Sequence, residues 1–349
     1  VIEIEPPRCS FSSDNAAGVL DEVMAALVEA NEGGAVAYGA DRWTETAKQR
    51  FNEIFDAPTE VAFTWGGTGA NVVALASLLR PWEAVIVAAS GHINVDECGA
   101  VERFSGAKII DLPSEDGKLR PDQLAPLMSV RGDQHHSQPA VVSITQSTEY
   151  GTLYSATEIT AICEEAHRLG LRVHLDGARI SNATAALGGD LASFTTAAGV
   201  DVVSFGGTKA GMMYGEAIVF LRPELAADVR FVRKQAAQLP SKMRFVAAQF
   251  NALLADGLWV RSAAHANSMA TMLAEQAGQV DQVLLRSMPE VNAVFARLPR
   301  AAIDTLQQWS FFWDWDPAID EVRWMTSFAT TPEDVERFVE GLRCVLDGS

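Results

Sequence analysis

With 349 residues, 48% of them hydrophobic, the chain can bury a large core and divide into two domains, which excludes a disordered segment and a small disulfide-stapled scaffold. A net charge of -18 repels nucleic acid and anionic membranes, so neither is an expected partner. No apolar run reaches membrane-spanning length, the start with Glu3, Glu5 and two prolines does not read as a signal peptide, and Cys9, Cys98, Cys163 and Cys344 form no CxxC pair, so reduced thiols and a cytoplasmic location are expected.

Residues 1–16 read as irregular and end in Ser12-Ser13-Asp14-Asn15. The spacing of Val19, Val23 and Leu27 predicts a helix over 18–30, closed by Gly33-Gly34. Asp41 can cap a helix holding Trp43, Ala47, Phe51 and Phe55. A short strand at 61–63 leads through Gly66-Gly67-Thr68-Gly69 into an apolar helix over 70–79. Strand 84–88, the turn Gly91-His92-Ile93-Asn94, a helical stretch including Glu97 and strand 108–110 follow. Helix 121–130 has Pro121 in its first turn. Strand 141–145, a helix capped by Ser155, strand 172–175, helix 178–187 and strands 202–205 and 217–220 complete the alternation. Strands that are almost continuously apolar and separated by helices predict a mostly parallel sheet covered on both faces.

After about residue 240 the pattern changes to long helices over 243–256 and 258–278, then strand-like 291–296 and 322–326. The final helix is signalled by Thr331 as cap, with Pro332, Glu333 and Asp334 in its first turn. The domain change is placed near 240: a large domain over 17–240, and a smaller α+β domain from 1–16 and 241–349.

Open α/β sheets bind ligands at the carboxyl ends of their strands, and four features sit at such ends. Gly66-Gly67-Thr68-Gly69 joins a strand to a helix N-terminus, a place that favours phosphate; it is neither a GxGxxG nor a Walker loop. His92 lies in a polar turn, as a base or as a flat surface against a ring. Asp176 ends a buried strand and needs a positive partner, either Arg179 or a cationic ring nitrogen of a cofactor. Lys209 lies in Gly206-Gly207-Thr208-Lys209-Ala210-Gly211; alone it reads as a solvated loop residue, but a lysine in a desolvated site is also a Schiff-base nucleophile. Pyridoxal 5'-phosphate (PLP) needs such a set: a phosphate cradle, a ring-stacking group, an acid opposite the pyridine nitrogen and a lysine. The glycines beside Lys209 are read as leaving room for ring and phosphate. The histidines lack metal-ligand spacing, and no metal is expected. Arg230, Arg233, Lys234, Lys242 and Arg244 form either a charged helix face or a local anion site.

Together with Gly91–Ala100, Ser143–Glu149, Asp176–Arg179, Ser204–Lys209 and Ser241–Phe245, these residues resemble the threonine aldolase and β-eliminating lyase family of fold type I PLP enzymes, most closely its phenylserine aldolase branch. The resemblance implies an aspartate aminotransferase-like large domain and retro-aldol cleavage of β-hydroxy-α-amino acids, of phenylserine or threonine type, to glycine and an aldehyde. It implies that Lys209 is joined covalently to the cofactor, that Asp176 keeps the pyridine nitrogen protonated, and that His92 stacks on the ring. Gly67 and Thr68 would bind phosphate, with Arg233 and Lys234 approaching it. Ser13, Arg179 and Arg323 would hold the substrate carboxylate, Arg179 also bordering the cofactor. His92 is the first candidate for the base and Glu97 the second. The family carries a histidine near the substrate hydroxyl where this chain has Thr148, which agrees with a bulkier aldehyde group. A homo-oligomer, dimer or tetramer, with shared sites is also implied. The alternatives are β-elimination or transamination on the same fold, or a non-catalytic binding protein that would show no cofactor colour.

Overall fold

Alternate side chains of a strand face opposite sides of a sheet, so a strand apolar at every position must be covered twice. The computed structural model describes residues 2–346 and shows such strands at the centre of the molecule; residues 1 and 347–349, assigned above to the small domain, lie outside the described residues. The large sheet contains β1 (Glu60–Thr64), β2 (Glu83–Ala88), β3 (Lys108–Leu112), β4 (Gln138–Thr145), β5 (Arg172–Gly177), β6 (Val202–Gly206) and β7 (Glu216–Phe220), in the order β1-β7-β6-β5-β4-β2-β3. Its pairs are parallel from β3 through β2, β4 and β5 to β6. Residues 207–215 are too few for a crossover helix, so β7 returns antiparallel to β6 and pairs antiparallel with β1.

One face of this sheet (Val61, Phe63, Ile86, Val142, Val173, Val203, Phe205) packs with the helices Arg42–Ile54, Ala156–Arg168 and Met243–Leu254. The other (Ala62, Val85, Val87, Val141, Val202, Ile218) packs on the helix Gly67–Leu78. Beyond the domain change expected near 240 the chain therefore still covers the large sheet: Met243, Val246, Phe250 and Trp259 belong to its core.

A second, antiparallel sheet has the order β10-β11-β9-β8, from β8 (Leu284–Leu285), β9 (Ala293–Arg297), β10 (Trp313–Asp316) and β11 (Glu321–Met325). Its core includes Phe11, Phe312, Trp324 and Phe338, with the helices Leu258–Ala277, Arg300–Trp309 and Pro332–Leu346 around it. The N-terminal stretch is fastened here: Met325 N donates to Phe11 O at 2.9 Å, and the backbone N of Arg8 donates to Asp334 Oδ1 at 2.7 Å.

Two local expectations fail. The helix expected over 121–130 is two short 3-10 turns, Pro121–Gln123 and Ala125–Val130, because Pro126 removes an amide donor from the middle of the segment. The helix expected around Glu97 is interrupted there, since Cys98 (φ 52°) and Gly99 (φ 69°) adopt the left-handed conformation and helix resumes only at Ala100–Ser105.

Phe51 is fully buried, with Phe205 at 5.3 Å and Phe250 at 5.2 Å between ring centroids. Phe51→Ala should lower stability by about 3–5 kcal/mol, measured by denaturant unfolding; a loss below 1 kcal/mol would show that this cluster repacks.

Candidate active site

Strand direction brings the candidates together. β1 and β6 are both antiparallel to β7 and so run the same way, and β1, β2, β4, β5 and β6 end on one edge. The turns leaving that edge line one cavity of about 280 Å³, with Gly67, Thr68, His92, Asp176 and Lys209 in its wall beside Asn15, Asn71, Glu97, Tyr214 and Glu216.

The helix Gly67–Leu78 starts on Gly66 without a side-chain cap. Its first amides have no intrahelical partner and carry the positive end of the helix dipole. A Cβ built at Gly66 or Gly67 meets nothing within 4 Å, so open space lies before this helix end. Arg233 approaches from the neighbouring helix, Nη1 donating to Phe63 O at 3.2 Å. Its Nε is buried without a partner among the described residues, and burial holds the guanidinium below its ordinary value. Lys234 instead lies 5.5 Å from the Tyr38 ring centre.

Alternation on β5 turns Val173 and Leu175 to one face and His174 and Asp176 to the other, toward the helix Gly67–Leu78. There Asn71 Nδ2 donates to both Asp176 Oδ2 (2.8 Å) and Glu97 Oε1 (2.9 Å), and Ala178 N donates to Asp176 Oδ1 at 3.0 Å. His174 lies between Ser143 Oγ and Ser204 Oγ, 2.9 Å from each; burial pushes it down to about 4, so it is neutral at pH 7.

His92 Nδ1 is 2.8 Å from Glu97 Oε1, and its Nε2 has no hydrogen-bond partner among the described residues. The bond to Glu97 raises the imidazole above its ordinary value; burial opposes this, while Asp176 and Glu149 add to it. The Glu97 side chain has 0% exposure. Its Oε1 is held by Asn71 and His92, and the carboxylate stands in the wall of the cavity behind His92.

Lys209 makes no ion pair or hydrogen bond among the described residues. Burial pushes its ammonium below the ordinary lysine value and Arg179 pushes the same way, against Asp14, Glu149 and Asp176. Arg179 grips Asp14 bidentately, Nε to Oδ2 at 2.7 Å and Nη2 to Oδ1 at 3.0 Å. Burial alone would raise Asp14, but Arg179 and Lys209 bring it down to about 2. Ser13 Oγ accepts from Asn15 N at 3.1 Å, capping the turn that presents Asp14. Arg323, on β11, has a buried Nε without a partner among the described residues, and burial holds it below its ordinary value.

The glycines beside Lys209 serve a different need from the one expected. A Cβ at Gly206 would strike the Ala178 carbonyl, and one at Gly207 would lie 2.5 Å from Gly215 O, so this space is filled by backbone. The open glycines are Gly66 and Gly67.

Thr148 Oγ1 is 2.6 Å from Thr152 Oγ1, and its backbone pairs with Thr152. The next residue, Glu149, acts electrostatically on His92, Arg179, Lys209 and Arg323 together. Sequence reading also passed over Asn71, Asp14 and Glu216. The usable signals were a lone asparagine in an otherwise apolar helix and an acid opening the apolar strand β7.

A family model described as beta-eliminating lyase matches residues 10–300. The low specificity L-threonine aldolase of Pseudomonas aeruginosa is 43% identical over 341 residues, covering 96% of this chain and 97% of that protein. The protein of the same name from a Pseudomonas species is 42% identical over 339 residues, covering 96% and 97%. A structure of Leishmania major threonine aldolase superposes with a TM-score of 0.88 at 32% identity, covering 97% of this chain and 99% of that one.

Burial lifts the Glu216 carboxyl to about 7, although Thr208, the Gly207 amide (2.6 Å) and Lys209 pull it down. Because the folded value lies above the unfolded one of 4.5, its contribution to stability is full below that pH and is lost as pH rises toward about 7. Glu216→Gln keeps the acceptor for Gly207 and removes the titration. It is expected to raise Tm relative to wild type at pH 8 and to have a smaller effect at pH 4.5; equal shifts at both would refute the linkage.

Proposed function

The chain belongs to the β-eliminating lyase family, and from that premise we propose how its residues divide the work of the reaction. It has the fold type I architecture and is a PLP-dependent aldehyde-lyase: it cleaves β-hydroxy-α-amino acids by a retro-aldol reaction to glycine and an aldehyde. The residues present fit the cofactor. The observation that carries the reading is the convergence on one cavity of an open helix N-terminus at Gly67 and Thr68, a buried carboxylate at Asp176 and an enclosed, unpaired lysine at Lys209.

When bound, the cofactor supplies an electron sink conjugated to the substrate Cα. Gly67 and Thr68 would hold its phosphate through the helix amides and the Thr68 hydroxyl, with Arg233 neutralising charge behind them. Asp176, fixed by Asn71 and Ala178, would keep a proton on the ring nitrogen. Lys209 would hold the cofactor covalently, its amine made more available as a nucleophile by desolvation. Arg179 and Arg323 take the substrate carboxylate, with Ser13 and Asp14 fixing the position of Arg179. Glu97 Oε1 would accept a hydrogen bond from His92 Nδ1–H, leaving Nε2 as the acceptor when the ring is neutral. His92 would take the proton of the β-hydroxyl, directly or through water, and its ring would stack on the cofactor.

No helix among the described residues is long and apolar enough to cross a membrane. We place the enzyme in the cytoplasm and infer a homo-oligomer, dimer or tetramer. Exposed Trp65, which lines the cavity, and Met213, next to the lining residue Tyr214, support the latter, as apolar surface that a second copy would cover. Phenylserine-type substrates stand beside threonine-type ones in the expected range.

The deciding assay follows glycine and aldehyde release from threonine, allo-threonine and phenylserine; a keto acid as product would replace this reading by elimination or transamination. Lys209→Ala should abolish both the visible absorbance of the purified protein and glycine release, and a coloured, active variant would sink the assignment. His92→Asn should lower kcat by about 10²- to 10⁴-fold. Since Glu97 raises His92, Glu97→Gln should move the acid limb of the kcat–pH profile to lower pH, and a limb that stays in place would leave His92 with stacking alone.

A further inference from the structure

A second cavity, of about 630 Å³, adjoins the first. Ser90 lines it, and His92 two residues later lines the catalytic one. Its aromatic wall is Tyr150, Trp313 and Trp315. Trp315 is wedged edge-on between Tyr150 (centroids 5.8 Å apart, 76°) and Phe295 (5.1 Å, 70°), so the wall is a packed surface. Two residues join this cavity to the reacting site. Arg323 lines it with its guanidinium 5.0 Å over the Trp315 ring. Glu149 also lines it while acting on the charges of His92 and Lys209.

The lining has a sign. Arg286 is neutralised by Glu321, and Asp314 is paired with Arg300 at 3.0 Å. Asp96 and Glu149 make no ion pair among the described residues, and Asp316 accepts only the Ala318 amide, at 3.0 Å. Once the charge of Arg323 is taken up by a substrate carboxylate, negative charge remains around aromatic faces.

We propose that this cavity is the side-chain subsite, and that it takes an aromatic ring bearing hydrogen-bond-donating or cationic substituents and disfavours an anionic one. The proposal rests on the retro-aldol reading, because a carboxylate held by Arg323 brings the Cβ substituent to the cavity's mouth. The volume exceeds what a bare phenyl ring fills, which leaves room for substituents on the ring. Aromatic rings stack on such a wall, and donors or cations meet Asp96, Glu149 and Asp316, whereas a carboxylate meets like charge.

The test is glycine release by the holoenzyme from threonine, phenylserine, 4-aminomethyl-phenylserine and 4-carboxy-phenylserine. In the wild type, kcat/KM for the aminomethyl compound should equal or exceed that for phenylserine, and that for the carboxy compound should be about tenfold lower or worse. Trp315→Leu, and separately the more exposed Trp313→Leu, should lower the phenylserine-to-threonine ratio of kcat/KM by about tenfold. Asp96→Asn combined with Asp316→Asn should narrow the gap between the carboxy compound and phenylserine. A carboxy compound cleaved as fast as phenylserine, or a ratio unmoved by either tryptophan, overturns the subsite and leaves the retro-aldol reading standing. No glycine from any of the four substrates overturns the retro-aldol reading itself, and the subsite with it.

Discussion

An ammonium and several carboxylates enclosed at one sheet edge cost several kcal/mol each unless every ion finds a partner. The structure meets that constraint group by group. Asp14 is clasped by Arg179, Asp176 takes Asn71 and Ala178, Glu97 takes Asn71 and His92, and Glu216 takes the Gly207 amide. Lys209 is left without a hydrogen bond among the described residues. Its neighbours compensate its charge at a distance without occupying its nitrogen. An enclosed amine that must form a covalent bond needs that condition, because a lysine held in a tight ion pair would stay protonated and unreactive.

The fold supplies the constraint's geometry from separated parts of the chain. The short return of β7 sets Glu216 against Gly206 in the sheet register, so Glu216 lies beneath the loop carrying Lys209. Gly206 and Gly207 let that loop press against the backbone of Ala178 and Gly215, which sets the height of Lys209 relative to Asp176. Asp14 comes from the other unit: the N-terminal stretch is sewn to β11 through Phe11, and Asn292 Nδ2 reaches Asp14 Oδ2 at 3.2 Å. The small sheet therefore helps decide the charge environment of a lysine on the large one.

Much of the large sheet could be read in advance because apolar runs punctuated by glycine turns are local signals. Lys209, Asp176, His92 and Thr68 stood out as polar residues at the ends of such runs, and the structure sets them on one cavity. What escaped reading was non-local. Asn71 looks like an ordinary helix residue until a strand aspartate arrives 105 positions later in the chain. β10 alternates tryptophans, one of them exposed, with acids, and its strand character comes only from pairing with β11. The burial of Glu97 is likewise invisible in a polar stretch, and the charge that Glu149 brings to His92 and Lys209 depends on how the chain folds around it.

Selectivity turns on the surroundings of the substrate side chain, and Glu149 brings a charge that acts on His92, Arg179, Lys209 and Arg323 alike. On the subsite proposed above, room for a bulky substituent comes from β10, where Trp313 pairs with Arg323 in the ladder and Trp315, at the register shift between Asp314 and Asp316, lies under the Arg323 guanidinium. On that proposal the reaction is set by the edge of the parallel sheet, and the choice of side chain by a hairpin of the antiparallel one. Side chains on β10 can vary without touching Asp176, His92 or Lys209. Arg323 is the exception, since it rests on Trp315 and its proposed role is to hold the substrate carboxylate. In that role a change at Trp315 would reach the chemistry through this contact, whereas a change at Trp313, exposed on its outer side, would reach only the substituent.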